Sequence, residues 1–196
     1  MRSGLRSLLV LCTVAASLIA ATGTSHAVAP PTPSAPPTSA GSGALPSIPR
    51  TLAANDKGVC LRAHVSNIGW GNWFCQSGSY VGTVGQNKSI EALQISMYGA
   101  GDYCATAHIR DIGWGNQSCA QDGTDQIVTV GTTGYNRPME AVAIYLTDPD
   151  TPWTLDGWSH VQNIGWKYHQ PYSTGQITLG TIGKALNLEA VSLNVY

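Results

Sequence analysis

The residues best suited to chemistry in this sequence are three histidines and three glutamates, because an imidazole beside a carboxylate can exchange protons with a bound group. They are His64, His108 and His160, and Glu91, Glu140 and Glu189. Each type occurs once in each of three similar segments. Catalysis seldom needs three equivalent copies of its residues, whereas the folding of a repeated unit does. We therefore expect structural roles for all six, with each Glu bonding backbone N–H groups, a Trp indole or the repeat His.

Motifs of known catalytic sites are absent from the sequence. It has no Gly-x-Ser-x-Gly elbow, no His-Glu-x-x-His and no Gly-x-x-x-x-Gly-Lys-Thr. It also has no Cys-x-x-Cys spacing, so we expect neither a metal site nor a cofactor. The expectation is a protein that is not an enzyme.

A tryptophan follows each of these histidines after six residues, as Trp70, Trp114 and Trp166. A repeated Trp is most simply a core anchor, with a large apolar area and one N–H to satisfy. The alternative is an exposed platform that stacks on a sugar ring or on a protein partner. Other aromatic residues vary between the segments, as surface positions do. The candidate ligand-binding residues are the three Trp residues with Trp73, Phe74, Trp153, Trp158, Tyr168 and Tyr172.

The elements that must position these residues are three copies of one repeat. The first block of each copy reads VCLRAHVSNIGWGNWFC, YCATAHIRDIGWGNQSC or LDGWSHVQNIGWKYHQP. The second block reads GTVGQNKSIEALQI, GTTGYNRPMEAVAI or GTIGKALNLEAVSL, and it recurs every 49 residues. The repeats therefore cover about 57–98, 99–147 and 152–196.

Both blocks alternate with a period of two residues, which is typical of half-buried β-strands. In the first block the aliphatic residues lie on one face and the His on the other, and Ile-Gly-Trp ends the strand. In the second block we expect Glu91 to share a face with Leu93, Ile95 and Met97. A third strand is expected between the blocks, and no segment has a convincing helical period.

These strands predict an all-β fold in which three repeats of about 45–50 residues pack around a pseudo-threefold axis. One repeat is too small to bury its own apolar face, so the copies must pack on one another. A β-prism is favoured because each repeat resembles a single meandering sheet. A β-trefoil is the alternative.

Four cysteines flank the first blocks of repeats one and two, with a spacing of 15 residues in each. At the equivalent positions the third repeat has Asp156 and Pro171, so both cysteines are missing together. This predicts the bridges Cys60–Cys75 and Cys104–Cys119. Disulfide bridges suit an exported protein.

The N-terminal part of the chain predicts export. Residues 1–27 have the basic start, the short apolar run and the small residues of a cleavage site that define a secretory signal peptide. Residues 28–50 form a Pro-, Ser-, Thr- and Ala-rich disordered linker, and the repeats make one domain over 51–196. No second apolar segment follows, so we expect no membrane span in the mature chain. From Thr51 onward there are 7 basic and 11 acidic residues, which argues against nucleic acid as a partner.

The repeat resembles the clostridial hydrophobic W (ChW) repeat. The matching residues of the first copy, each with counterparts in the others, are His64, Gly69, Trp70, Gly82, Thr83, Gly85, Glu91 and Ala92. The resemblance covers Lys57 to Tyr196. It implies an exported bacterial protein that mediates adhesion or binding to polymers or to other proteins.

These observations together predict a secreted, non-catalytic binding module, outside the cell or associated with the cell wall. The expected partner is a cell-wall or extracellular polysaccharide, bound by weak sites that act together. The alternative is a protein-interaction module, either an adhesin or an inhibitor of a secreted enzyme.

Overall fold

The structure is a computed structural model that describes residues 57–76, 78–122, 126–148, 153–170 and 175–196. The predicted signal peptide, the linker and the first residues of the repeat domain lie outside these ranges. Within them all regular structure is β, as the sequence predicts, and no helix is present that could span a membrane. The strands are β1 Gly58–Val65, β2 Gly69–Trp70, β3 Val81–Gly82, β4 Ile90–Tyr98, β5 Tyr103–Ile109, β6 Gly113–Trp114, β7 Ser118–Ala120, β8 Val128–Gly131, β9 Met139–Leu146, β10 Leu155–Val161, β11 Gly165–His169, β12 Gln176–Gly180 and β13 Leu188–Val195.

The strands form three antiparallel sheets, one built mainly from each repeat. The strand orders are β2-β1-β4-β8 for the first, β6-β5-β9-β12 for the second, with β7 also paired to β5, and β11-β10-β13-β3 for the third. The prediction of an all-β fold made of three repeats is confirmed. The preference for a β-prism over a β-trefoil stays a prediction.

Each sheet contains one strand from another repeat. Strand β8 of repeat two pairs with β4, β12 of repeat three pairs with β9, and β3 of repeat one pairs with β13. The three exchanges close a ring, since every repeat gives one strand and receives one. The expectation that each repeat is a single meandering sheet is therefore wrong. Its third strand lies where predicted in the sequence, but hydrogen-bonds to a neighbour.

The Gly-Thr-x-Gly and Glu-Ala motifs meet at these exchanges. The Thr83 amide donates to the Glu189 carbonyl at 2.8 Å, Thr132 to Glu91 at 2.8 Å, and Thr181 to Glu140 at 3.0 Å. The first Gly of each motif lies opposite the Ala that follows that Glu. A Cβ at this Gly would overlap with the Glu carbonyl oxygen. The two most regular motifs of the sequence therefore form the contact between successive repeats.

The expectation is that Ile-Gly-Trp ends a strand, but the structure places this segment within a hairpin. The Ile lies in the hairpin loop, and the Gly and Trp begin the second strand. In the first repeat β1 ends at Val65, and Gly69 opposite it begins β2. The middle loop residue has a positive φ in every repeat, at 60° for Asn67, 63° for Asp111 and 62° for Asn163. Asn and Asp tolerate this left-handed region better than other non-glycine residues. This explains why the repeat keeps Asn or Asp there.

A shift of strand register places the Glu of each repeat. His64 lies opposite Ala92, but the next residue, Val65, lies opposite Ile90, so Glu91 is the extra residue of a β-bulge. Ile90, not Glu91, continues the core row of Leu93, Ile95 and Met97. The expectation that Glu91 shares the face of these apolar residues is wrong, because a bulge interrupts the two-residue alternation. The same shift occurs in the other two repeats.

The core lies on the inner faces of the sheets and contains residues of all three repeats, among them Ile95, Ile144 and Leu193. Both predicted disulfides are present, Cys60–Cys75 and Cys104–Cys119. In the third repeat Asp156 accepts hydrogen bonds from Tyr168 Oη at 2.7 Å and from Asn194 Nδ2 at 2.8 Å. A polar network thus links the strands at this position of the third repeat. Pro171 lies outside the described residues.

Candidate functional site

The His, Glu and Trp of each repeat form one cluster on the outer face of its sheet, which is the face opposite the core. The imidazole Nδ1 lies 3.1 Å from the carboxylate in His64–Glu91, 3.0 Å in His108–Glu140 and 2.8 Å in His160–Glu189. The imidazole and indole ring centroids are 5.4 Å apart in His64–Trp70, 5.2 Å in His108–Trp114 and 5.3 Å in His160–Trp166, with the rings edge to face. We call each of these groups a Glu–His–Trp cluster.

Two local features of the sequence build the cluster. The hairpin places the Trp directly opposite the His on the neighbouring strand, for example Trp70 opposite His64. The bulge on the other side aims the Glu side chain at the outer face. The carboxylates are buried, so a polar partner is needed, and the imidazole supplies one. Of the three kinds of partner predicted for each Glu, the structure shows the repeat His in contact. Among these three contacts, His160–Glu189 alone has the geometry of a hydrogen bond.

The arrangement fixes each imidazole between a carboxylate and an indole. Nδ1 faces the carboxylate, and Nε2 is the only ring nitrogen left for another partner. Edge-to-face packing of this kind is a favourable aromatic geometry. The cluster therefore holds the Trp ring in one orientation.

The three Trp residues differ in exposure. Trp114 is 43% exposed, whereas Trp70 and Trp166 are half-buried. The guanidinium of Arg62 lies 5.0 Å from the Trp70 ring, and the Tyr80 ring lies 5.3 Å from that of Trp166. In repeat two the position of Arg62 is held by Thr106, whose hydroxyl donates to the Gly115 carbonyl at 2.8 Å. A short side chain bonded to the backbone leaves Trp114 uncovered.

The outer face of the first sheet brings together two of the predicted aromatic residues and one Arg. The Arg62 guanidinium lies 5.1 Å from the Trp73 ring as well as 5.0 Å from that of Trp70. Its Nε donates to Gln94 Oε1 at 2.6 Å, and Gln94 Nε2 donates to Thr129 Oγ1 at 3.2 Å. Trp73 itself is only 9% exposed. Sequence reasoning did not select Arg62 for this site, although its place on the His face of β1 was a usable signal.

The outer face of the third sheet carries another aromatic pair. The rings of Trp158 and Tyr168 are 5.2 Å apart and tilted. Burial and the hydrogen bond to Asp156 raise the pKa of Tyr168. Both residues are half-buried.

The remaining predicted aromatic residues lie elsewhere. Phe74 bridges to Leu61 and packs against the core, where it also lines a cleft of about 130 Å³ between β2 and β3. The Lys57 ammonium lies 3.6 Å from the centroid of the Trp153 ring. Trp153 belongs to none of the three Glu–His–Trp clusters. Tyr172 lies outside the described residues.

Exposed aliphatic residues at the hairpin tips were missed by sequence reasoning. They are Ile68, Ile112 and Ile164, of which the first two are 54% exposed. An apolar residue kept in every repeat is normally buried. The signal that could have found them is the Asn or Asp just before each Ile, because that residue places the Ile in a turn.

Ser159 and His169 form a polar pair on the inner side of the third sheet. Ser159 Oγ and His169 Nε2 are 2.7 Å apart, and Ser159 is fully buried. Burial, with a smaller effect from the Lys167 charge, lowers the pKa of His169 to about 4. The imidazole is therefore neutral near pH 7 and serves as a hydrogen-bond partner inside the protein. Over the described ranges no group of three or more His, Cys, Asp or Glu side chains could hold a metal ion.

Comparison with known families gives one result. The family model described as clostridial hydrophobic W matches residues 64–99, 108–148 and 160–196. These segments together make up more than half of the chain, and each begins at the His of a Glu–His–Trp cluster. Neither a search of curated proteins nor a search of solved structures found a match.

Proposed function

The chain belongs to the clostridial hydrophobic W family, a family of extracellular repeat modules, and on this premise we propose that it is a secreted binding module for a polysaccharide. The ligand is a polymer of the cell wall or of the extracellular medium. The module binds it without chemical conversion. It acts outside the cell, where its two disulfides are stable.

The observation that carries this proposal is the Trp114 ring. It is 43% exposed on a sheet face, and the His108 imidazole, itself beside Glu140, supports it from one side. A fixed indole offers a flat apolar surface to the apolar face of a sugar ring, and its N–H can bond a hydroxyl group.

The three outer faces support binding to a repeating polymer. Each carries a Trp held by the same cluster, but the neighbouring side chains differ, with Arg62 in repeat one, Thr106 in repeat two and Trp158 in repeat three. Sites of unequal strength on one rigid body bind a long polymer more tightly than any one of them alone. The covered Trp residues make the first and third faces different from the second.

A catalytic role for the His–Glu pairs receives no support from their geometry. Each imidazole is fixed between a carboxylate and an indole, in the same way in three repeats. That repetition is explained by the shared folding problem of burying a Glu at a bulge. We therefore propose that the protein is not an enzyme.

The test is retention of the purified protein on peptidoglycan and on a panel of insoluble polysaccharides. Trp114→Ala should reduce retention about tenfold or more on the polymer that binds, because it removes the exposed platform. The matched control is Tyr135→Ala, since Tyr135 is 71% exposed but lies in a turn. Near-UV circular dichroism verifies the fold of both variants. Absence of retention on every polymer would overturn the proposal.

A protein-interaction module is the second candidate, and the exposed hairpin tips favour it. Ile68, Ile112 and Ile164 present an aliphatic side chain in each repeat. Contacts between proteins use such apolar groups more readily than contacts with sugars do. The triple variant with Ser at these three positions separates the candidates, because polysaccharide retention through Trp114 should survive it and adhesion to a protein surface should not.

A further inference from the structure

The outer face of the first sheet carries a cation that no described acidic residue neutralises. We propose that this face binds an anionic group of the polymer, a carboxylate or a phosphate, through Arg62. The inference rests on the proposed function and adds the chemical class of the ligand: the polymer is acidic.

Arg62 is held in one position by three contacts. Its guanidinium lies 5.0 Å from the Trp70 ring and 5.1 Å from the Trp73 ring. Its Nε donates to Gln94 Oε1 at 2.6 Å. These contacts use the ring faces and the Nε proton, so the two terminal nitrogens stay available. A guanidinium presented in this way binds the two oxygens of a carboxylate or phosphate group in parallel.

The Gln94 contact is itself anchored. Gln94 Nε2 donates to Thr129 Oγ1 at 3.2 Å, and Thr129 lies on β8, the strand that repeat two adds to this sheet. A chain of hydrogen bonds from repeat two thus orients Arg62 of repeat one. Fixing the side chain before binding reduces the entropy that a ligand must overcome.

The charge of Arg62 is uncompensated within the described part of the chain. No described carboxylate lies within ion-pair distance of it, and Glu91 on the same face is 3.1 Å from His64. Arg110 in repeat two shows the contrast, because it lies 3.8 Å from Glu140 and donates to the Ala185 carbonyl and the Asn187 side chain, each at 2.6 Å. A half-buried guanidinium between two indoles is partly desolvated. Its electrostatic attraction to an anion is therefore stronger than that of an exposed Arg.

A second donor at this face also lacks an acceptor. Trp73 is 9% exposed, and its indole Nε1 is buried without a hydrogen-bond partner. Buried donors are normally paired, and unpaired ones mark sites where a water or a ligand completes the structure. The Trp73 N–H is buried, so the terminal nitrogens of Arg62 are the donors that this face offers to the anionic group of a ligand.

The other two repeats lack this pair. Thr106 and Trp158 occupy the position of Arg62 in repeats two and three. The anion site is consequently single, on a domain whose repeats otherwise resemble one another. An acidic polymer would contact Trp114 or Trp158 through its sugar rings and Arg62 through one anionic group.

The test measures binding by titration calorimetry with an oligogalacturonate, with its methyl ester and with poly(glycerol phosphate). We expect the acid form to bind at least about tenfold more tightly than the ester, with an affinity that falls as salt is added. Arg62→Gln should remove most of that difference. The matched control is Arg137→Gln, which deletes the same charge from an exposed turn and should change affinity less than about twofold.

The two anionic probes separate the sources of the anion. Tighter binding of the oligogalacturonate identifies a carboxylate, and tighter binding of poly(glycerol phosphate) identifies a phosphate, and either result supports the site. Equal binding of the acid and its ester together with no binding of the phosphate polymer would overturn the inference while leaving polysaccharide binding intact. An unchanged affinity in Arg62→Gln would also overturn it. If no polymer of any charge binds, both the inference and the proposed function are wrong.

Discussion

His160 and Glu189 form the shortest of the three imidazole–carboxylate contacts, with Nδ1 of the first 2.8 Å from Oε2 of the second. Glu189 also accepts a hydrogen bond on its backbone carbonyl from Thr83 of the first repeat, at 2.8 Å. One residue thus links the outer face of its own sheet to the strand that another repeat adds. The Glu of each repeat serves both the candidate site and the closure of the ring.

Removing this carboxylate should destabilise the fold. We expect Glu189→Ala to lower the free energy of unfolding by about 1–3 kcal/mol, because the His160 imidazole loses its buried partner. Glu189→Gln keeps an acceptor of the same size and should cost less. Urea denaturation followed by Trp fluorescence measures both variants. Equal stability of Glu189→Ala and the wild type would show that the pair contributes nothing.

The first Gly of each Gly-Thr-x-Gly motif should be sensitive to substitution. At Gly131, φ is 91° and a Cβ would overlap with the Glu91 carbonyl oxygen. We expect Gly131→Ala to cost about 3 kcal/mol or more. Gly134→Ala is the matched control, since Gly134 has a φ of 77° in the same turn but a Cβ added there would meet open space. It should cost about 1 kcal/mol, the penalty of the backbone conformation alone.

The stability of the third sheet should depend on pH through His169. Its folded pKa is lowered to about 4 by burial, so the unfolded chain binds more protons than the folded one between that pH and the ordinary His value. Stability contributed by the neutral imidazole is therefore present near pH 7 and is lost as the pH falls toward 4. Because His169 is only partly buried, we expect a loss of about 1–2 kcal/mol, roughly half of what the full shift implies.

The contribution of His169 can be isolated by difference. The free energy of unfolding of the wild type minus that of His169→Gln should decrease from pH 7 to pH 4, while the other histidines cancel. An NMR titration should place the His169 midpoint near pH 4, as its lowered pKa requires. A midpoint near the ordinary value of about 6.5 would contradict the prediction.

The exchange of strands predicts that the repeats do not fold separately. A chain that ends after Asp148 would lose β12 from the edge of β9, and it would leave β3 without its partner β13. We expect this two-repeat chain to lack a cooperative unfolding transition or to associate with other copies through its open edges. Calorimetry and light scattering measure the two outcomes. A stable monomer with a sharp transition would show that the ring is not required.

Much of the local structure could be predicted from the sequence because it depends on neighbouring residues. The two-residue period identified the strands, since alternate side chains of a strand point to opposite faces. The paired absence of both cysteines from repeat three identified the bridges Cys60–Cys75 and Cys104–Cys119. The need of a buried carboxylate for a partner predicted a donor beside each repeat Glu, and the repeat His was one of the three alternatives.

The partners of the edge strands and the exposure of the aromatic residues were decided by the tertiary structure. A strand period states which face is buried but not which strand lies alongside, so the exchange of β3, β8 and β12 could not be read from the repeat. The bulge at Glu91 moves that side chain to the outer face against the local alternation. Trp70, Trp114 and Trp166 all follow Ile-Gly but differ in exposure. Arg62 and Tyr80, which contact the rings of Trp70 and Trp166, reach them from another strand and from a loop. Exposure is set by what packs over a side chain, and only the assembled sheets determine that.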